Sequence, residues 1–196
     1  MKNLVRVVSC VMLVAALSMA VFADSFTPSV TQKEAPAVTK AAAVEAADGT
    51  KVEVKAADIK VVSVSEEKSL SEETKKEMDE AYDVIAKAES LEKAVPELKT
   101  VLEDAKVTTP VASFVVRDLV NVSVPEDVAK LFETEGTTIT VNFKLGVKAG
   151  ATVVVMRFVD GKWVPLPLEN VTVNKDGSVD VKLDGVGTIA FLVEKN

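Results

Sequence analysis

From Pro110 onward the chain is a succession of short β-branched and aromatic runs, each closed by a turn signal, and this punctuation leaves few folds open to it. Phe114 to Val124 reads as one extended segment, after which Pro125-Glu126-Asp127 opens a short helix reaching Phe132. Ile139, Val141, Phe143 and Leu145 alternate with Thr140, Asn142 and Lys144, the two-residue period of a half-buried strand. Ala151 to Phe158 is apolar on both faces, which places it centrally in a sheet. Asp160-Gly161 separates that run from Trp163-Val164, and Asn174-Lys175-Asp176-Gly177 separates 171–173 from 179–183. Both are hairpin signals in which glycine takes positive φ. Thr188 to Val193 closes the set. About seven short strands, with turns every 8–12 residues or so, predict an antiparallel β-sandwich over 110–196.

Residues 49–109 carry a different pattern. Val52 and Val54 alternate with lysine and glutamate, and 59–64 is β-branched, giving one or two strands. Ser69-Leu70-Ser71-Glu72 has the spacing of a capping box, the serine oxygen accepting an orphan amide and the glutamate reaching back. Met78, Tyr82, Ile85, Ala88, Leu91 and Val95 then recur every three or four residues, the stripe of one helix of about six turns. Pro96 ends it and sits early in a second helix, with Leu98, Val101, Leu102 and Ala105 on the buried side. The expected fold class is therefore α+β: a sandwich of about seven strands, an N-terminal strand region and a helical pair. Residues 24–48 hold Ala, Thr and Val, with Pro28 and Pro36 and no period, and read as a flexible leader.

The start of the chain reads as an export address. Lys2 and Arg6 precede an apolar stretch from Val7 to Phe22, which ends at Val21-Phe22-Ala23 just before Asp24. That order is a secretory signal peptide over 1–23, with Ser18-Met19-Ala20 as the alternative cleavage site. The stretch falls short of the roughly 20 residues that span a bilayer. Val7-Val8-Ser9-Cys10 imitates a lipobox but opens the apolar stretch instead of closing it. Cys10 is the single cysteine, so cleavage leaves a mature chain with no disulfide to draw on. No second apolar span follows, and the expected location is secreted or extracytoplasmic.

Chemistry is narrowed mainly by what the chain lacks. It has no histidine, which removes His-based triads and ordinary His-containing zinc sites. Its net charge of −7 and 5% aromatic content argue against a nucleic-acid partner. Gly185-Val-Gly187-Thr-Ile-Ala190 fits the relaxed dinucleotide fingerprint, but a β-branched run follows where the pyrophosphate needs a helix. No cofactor is expected. Asp160, Asp176, Asp180 and Asp184 suggest calcium, yet they lack the compact spacing of an acidic loop, and Asp160 and Asp176 are explained by their turns. No metal site is expected. An acid-pair hydrolase needs one carboxyl in an apolar setting, and Asp118 alone falls inside an apolar run. Trp163, beside a hairpin and a Val-Pro-Leu-Pro stretch, is either a core anchor or an exposed platform for stacking on a sugar ring.

Phe114-Val-Val-Arg-Asp-Leu, Ala149-Gly-Ala-Thr-Val-Val-Val-Met, Asp160-Gly-Lys-Trp-Val-Pro-Leu-Pro, Asp176-Gly-Ser-Val and Gly187-Thr-Ile-Ala-Phe-Leu-Val together resemble a domain of uncharacterised secreted proteins from Clostridia-like Gram-positive bacteria. Val95-Pro96-Glu97-Leu98 fits the helical part of the same domain, while Gly187-Thr-Ile departs from the usual Ser-Pro. The resemblance implies an exported β-rich module with no reaction assigned. Together these observations predict a non-enzymatic binding or structural module at the cell envelope or outside the cell, its partner a surface polymer or a protein. The alternative is a carbohydrate- or cell-wall-binding accessory module using Trp163, and an acid-pair hydrolase is the third class.

Overall fold

The computed structural model describes residues 34–64, 66 and 70–195. The expected signal peptide and the leader up to residue 33 lie outside the described residues. Among the described residues ten strands are present: β1 (Ala42–Glu45), β2 (Lys51–Val54), β3 (Lys60–Ser63), β4 (Phe114–Ser123), β5 (Thr138–Phe143), β6 (Val153–Val159), β7 (Lys162–Pro165), β8 (Val171–Val173), β9 (Val179–Leu183) and β10 (Gly187–Glu194). Four α-helices accompany them: α1 (Glu72–Ala86), α2 (Leu91–Ala94), α3 (Leu98–Asp104) and α4 (Glu126–Ala129). The chain is α+β and antiparallel throughout.

The strands form two five-stranded sheets, ordered β2-β1-β5-β9-β8 and β3-β4-β10-β6-β7. Side-chain parity in β10 shows how the layers are stacked. Ile189 and Phe191 face the first sheet, meeting Val44, Val141 and Val181, while Ala190 and Leu192 face Met78, Ile85 and Leu98 of the helices. The second sheet is thus covered on both faces, and Ile189 to Leu192 are fully buried in succession. Each large apolar side chain removed from water this way contributes roughly 1.5–3 kcal/mol. Phe143 and Phe191 cross the gap between the sheets edge to face, ring centroids 5.0 Å apart. Val153 to Met156 of β6 is likewise buried on both sides, as its unbroken apolar run predicts.

Seven of the ten strands, β4 to β10, lie in 110–196, and the other three come from the N-terminal segment, which is not a separate strand region but is built into both sheets. β1 lies between β2 and β5, and β3 pairs with β4, so strand pairing crosses the boundary drawn at residue 110. The flexible reading of 24–48 is corrected over Ala42–Glu45, where Ala42 and Val44 are wholly buried and Ala43 and Glu45 point outward. Alanine has little β-propensity, so its alternation carries no strand signal unless a neighbour is known. Asp48-Gly49 joins β1 to β2, with Asp48 Oδ1 accepting from Thr50 N at 2.9 Å.

The long helix is also corrected. α1 ends at Ala86, and Ser90 starts α2, its hydroxyl accepting from Lys93 N at 3.2 Å. A serine inside the apolar period offers the backbone a cap, and a cap interrupts the helix. The N-terminus of α1 is capped by Ser71, which accepts from Thr74 N at 3.3 Å, so the cap falls two residues later than the expected box. Met78, Ala81 and Ile85 form its buried stripe, and Leu98 and Leu102 that of α3.

Candidate functional site at the β4 bulge

Trp163 sits in β7 with only 2% of its surface exposed. Its indole packs against Phe158, centroids 5.2 Å apart, and Nε1 donates to Ala81 O at 2.9 Å. The alternation of β7 turns Trp163 and Pro165 inward and leaves Lys162 and Val164 outside. An indole enclosed on both faces has nothing to offer a sugar ring, so the platform role is corrected: Trp163 anchors α1 to the second sheet.

The four aspartates weighed for calcium are dispersed. Asp180 Oδ1 accepts from Asn142 Nδ2 at 2.6 Å and its Oδ2 accepts from Asn174 Nδ2 at 2.9 Å. Asp176 Oδ1 accepts from the hydroxyl and amide of Ser178 at 2.7 and 3.0 Å, and these bonds hold its carboxyl below the ordinary value. Asp184 pairs with Arg157 instead. Asp160 takes φ +50° in the β6–β7 turn beside Gly161 at +76°, the pair of positive angles that matches the twist of a two-residue hairpin. Among the described residues no three or more His, Cys, Asp or Glu side chains gather as a metal site would require. Asn142 completes the network by accepting from Thr39 Oγ1 and donating to Ser178 Oγ at 3.2 Å.

Asp118 has a different setting. Against β10, Phe191 pairs with Asp118 and Leu192 with Val116, leaving Arg117 with no partner residue across the ladder. This is a β-bulge, and it resets the parity of β4: Phe114 and Val116 face the helices before it, Leu119 after it. The bulge brings neighbouring residues together, Arg117 Nε lying 3.4 Å from Asp118 Oδ2. Asp118 is 4% exposed, and burial raises its pKa to about 6, with the Arg117 charge partly offsetting the rise.

Arg117 is half-buried and lines a cleft of about 410 Å³. The 146–151 loop forms one wall and Val193, Glu194 and Lys195 the other. The loop is anchored where Gly146 N and Val147 N donate to Gly177 O, and Lys195 N donates to Ser113 O at 2.8 Å. Glu194 Oε1 accepts from Thr109 Oγ1 at 3.1 Å. The sequence draws attention to Asp118, with an ion pair near Arg117 as its simplest role, but not to Arg117 as a cleft residue nor to Lys148 and Lys195. The available signal was the phase break between Val116 and Leu119, which a regular strand does not permit.

Gly185-Val-Gly187 leads directly into β10, so the dinucleotide fingerprint lacks the helix it requires, as its context indicated. Among the described residues no helix is long and apolar enough to cross a membrane. No family model, curated protein or solved structure matches the chain.

Proposed function

We propose that this chain is an exported, non-catalytic binding or structural module acting at the cell envelope or outside the cell. The observation that carries the reading is where the polar chemistry goes. Asp180 engages Asn142 and Asn174, Asp176 engages Ser178, Asp184 engages Arg157, and Asp118 engages Arg117. Side chains that bond one another in this way rigidify a surface and hold it in shape, which supports a binding or structural role. Export rests on the Lys2–Arg6 charges, the apolar 7–22 stretch and the Ala23 boundary.

The test has two parts. Expression of the full chain in a Gram-positive host is expected to release a product beginning at Asp24, read by mass spectrometry of the medium and wall fractions. Product retained in the cytosol with Met1 intact would overturn export. Purified 24–196 is then sedimented with insoluble cell wall and with plant and bacterial polysaccharides. Saturable pelleting on wall material supports envelope binding, and no pelleting on any of them overturns a wall or glycan ligand. Trp163→Ala serves there only as a stability control, since the indole is core.

A further inference from the structure

We propose that the cleft beside the β4 bulge binds the carboxylate of a monoanionic ligand carried on a short apolar chain, with Arg117 as the principal contact and Lys148 and Lys195 as flanking charges. This deepens the module reading and rests on it, by naming the chemistry of what is bound.

The chain carries a net charge of −7, so a cleft that gathers Arg117, Lys148 and Lys195 runs against the sign of the whole molecule. Asp118 approaches Arg117 on the Nε side, Oδ2 lying 3.4 Å from Nε. Among the described residues no protein group bonds either terminal nitrogen of that guanidinium, and both belong to the planar fork that matches a carboxylate. Among the described residues Arg117, Lys148 and Lys195 stand against Glu194 and Asp118, three cations to two acids, leaving one positive charge to be met. A monoanion meets it, whereas a phosphate monoester brings nearly two negative charges. Val147, Ala149, Ala151 and Val193 supply apolar wall around the charged group. The volume, about 410 Å³, lies within the usual range of small-molecule clefts and far exceeds a bare ion.

Hexanoate, hexanol and hexyl phosphate share one apolar body and differ in head group. Each is titrated into ¹⁵N-labelled 24–196 at neutral pH, with amide shifts of 146–151 and 193–195 as the readout. Hexanoate is expected to saturate these shifts and hexanol to leave them unmoved. Arg117→Gln is expected to weaken hexanoate at least about tenfold, the scale of one lost charge-assisted bond pair. Arg117→Lys, which keeps the charge without the fork, should fall between. Lys148→Gln/Lys195→Gln alters two exposed residues, spares the fold, and should weaken binding about threefold while reducing its salt dependence. Shifts outside the cleft, equal response to hexanol, tighter binding of hexyl phosphate, or an unchanged affinity in both the Arg117→Gln and the double-lysine variants would each overturn the assignment. If hexanoate fails while 24–196 still pellets on wall material, the cleft assignment falls and the module reading stands.

Discussion

Trp163 Nε1 donates to the carbonyl oxygen of Ala81 at 2.9 Å, spanning 82 residues of sequence to join β7 to the middle of α1. The bond spends the only polar atom of the indole on a helix carbonyl, and the ring fills the space between Phe158 and the helical layer. Trp163→Phe keeps most of the packing and loses the bond, so unfolding free energy should fall by about 1.5–3 kcal/mol. Trp163→Ala should cost about 3–5 kcal/mol. Urea denaturation followed by far-UV circular dichroism measures both. A loss below about 0.5 kcal/mol for Trp163→Ala, the range of ordinary surface substitutions, would contradict its place in the core.

Asp118 makes a pH prediction whose sign follows from its raised pKa. The folded chain holds the Asp118 proton up to about pH 6, whereas the unfolded chain releases it near 3.8. Between those values the folded state binds more protons, so this group's contribution to stability falls as pH rises and levels off above 6. Two pKa units correspond to about 3 kcal/mol. Asp118→Asn, neutral at every pH, should therefore gain on the natural chain as pH climbs from 4 to 6, with a constant difference beyond. Denaturation midpoints for the two proteins across that interval provide the measurement, and parallel pH curves would refute the assignment.

How much of this was legible in the sequence depends on where each signal resides. The alternation in β5, the unbroken apolar run of β6 and the Asp160-Gly161 hairpin are local, and they appear where the pattern places them. β1 was not legible because its inward residues include Ala42, and alanine is silent about strands. Its one usable mark was Asp48-Gly49, the same turn signal recognised twice further along. The Arg117–Asp118 pair was half legible: an acid in an apolar run draws notice, but the bulge that turns its neighbour to meet it depends on the register with β10. The cleft draws on β4, the 146–151 loop and the end of β10, and its assembly is a property of pairing across long separations.

Two glycines test how tightly the cleft loop is built. Gly177 has φ +78°, and a Cβ there would come within 2.6 Å of Val147 O, a backbone atom held by the loop it anchors. Gly177→Ala should destabilise by about 1–3 kcal/mol and shift the amides of 146–151. Gly185 is equally crowded, its added Cβ 2.6 Å from a terminal nitrogen of Arg157, but that atom ends a flexible side chain. Gly185→Ala should cost under about 1 kcal/mol, chiefly through loss of the Arg157–Asp184 pair. Equal costs at the two positions, by urea denaturation, would show that the loop gives way as readily as the guanidinium.

The last prediction concerns Asn142, which is buried although it belongs to the outward row of β5. Its amide nitrogen donates to Asp180 and Ser178, and its oxygen accepts from Thr39. Replacing that amide with a carboxylate turns a donor at 2.6 Å from Asp180 into a like charge. Asn142→Asp should cost about 2–4 kcal/mol at neutral pH, because one of the two carboxyls must bind a proton or both must remain charged and repelling, residue 142 in a buried setting. The pair then holds a proton more tightly folded than unfolded, so the variant's deficit should shrink as pH falls toward the ordinary carboxylate range and widen as pH rises. Asn142→Ser, which removes the amide without adding charge, should show a smaller deficit with no such pH dependence. Denaturation of the three proteins from acid to neutral pH distinguishes the cases, and a deficit of Asn142→Asp that stays constant with pH would mean that Asp180 and residue 142 do not share the contact.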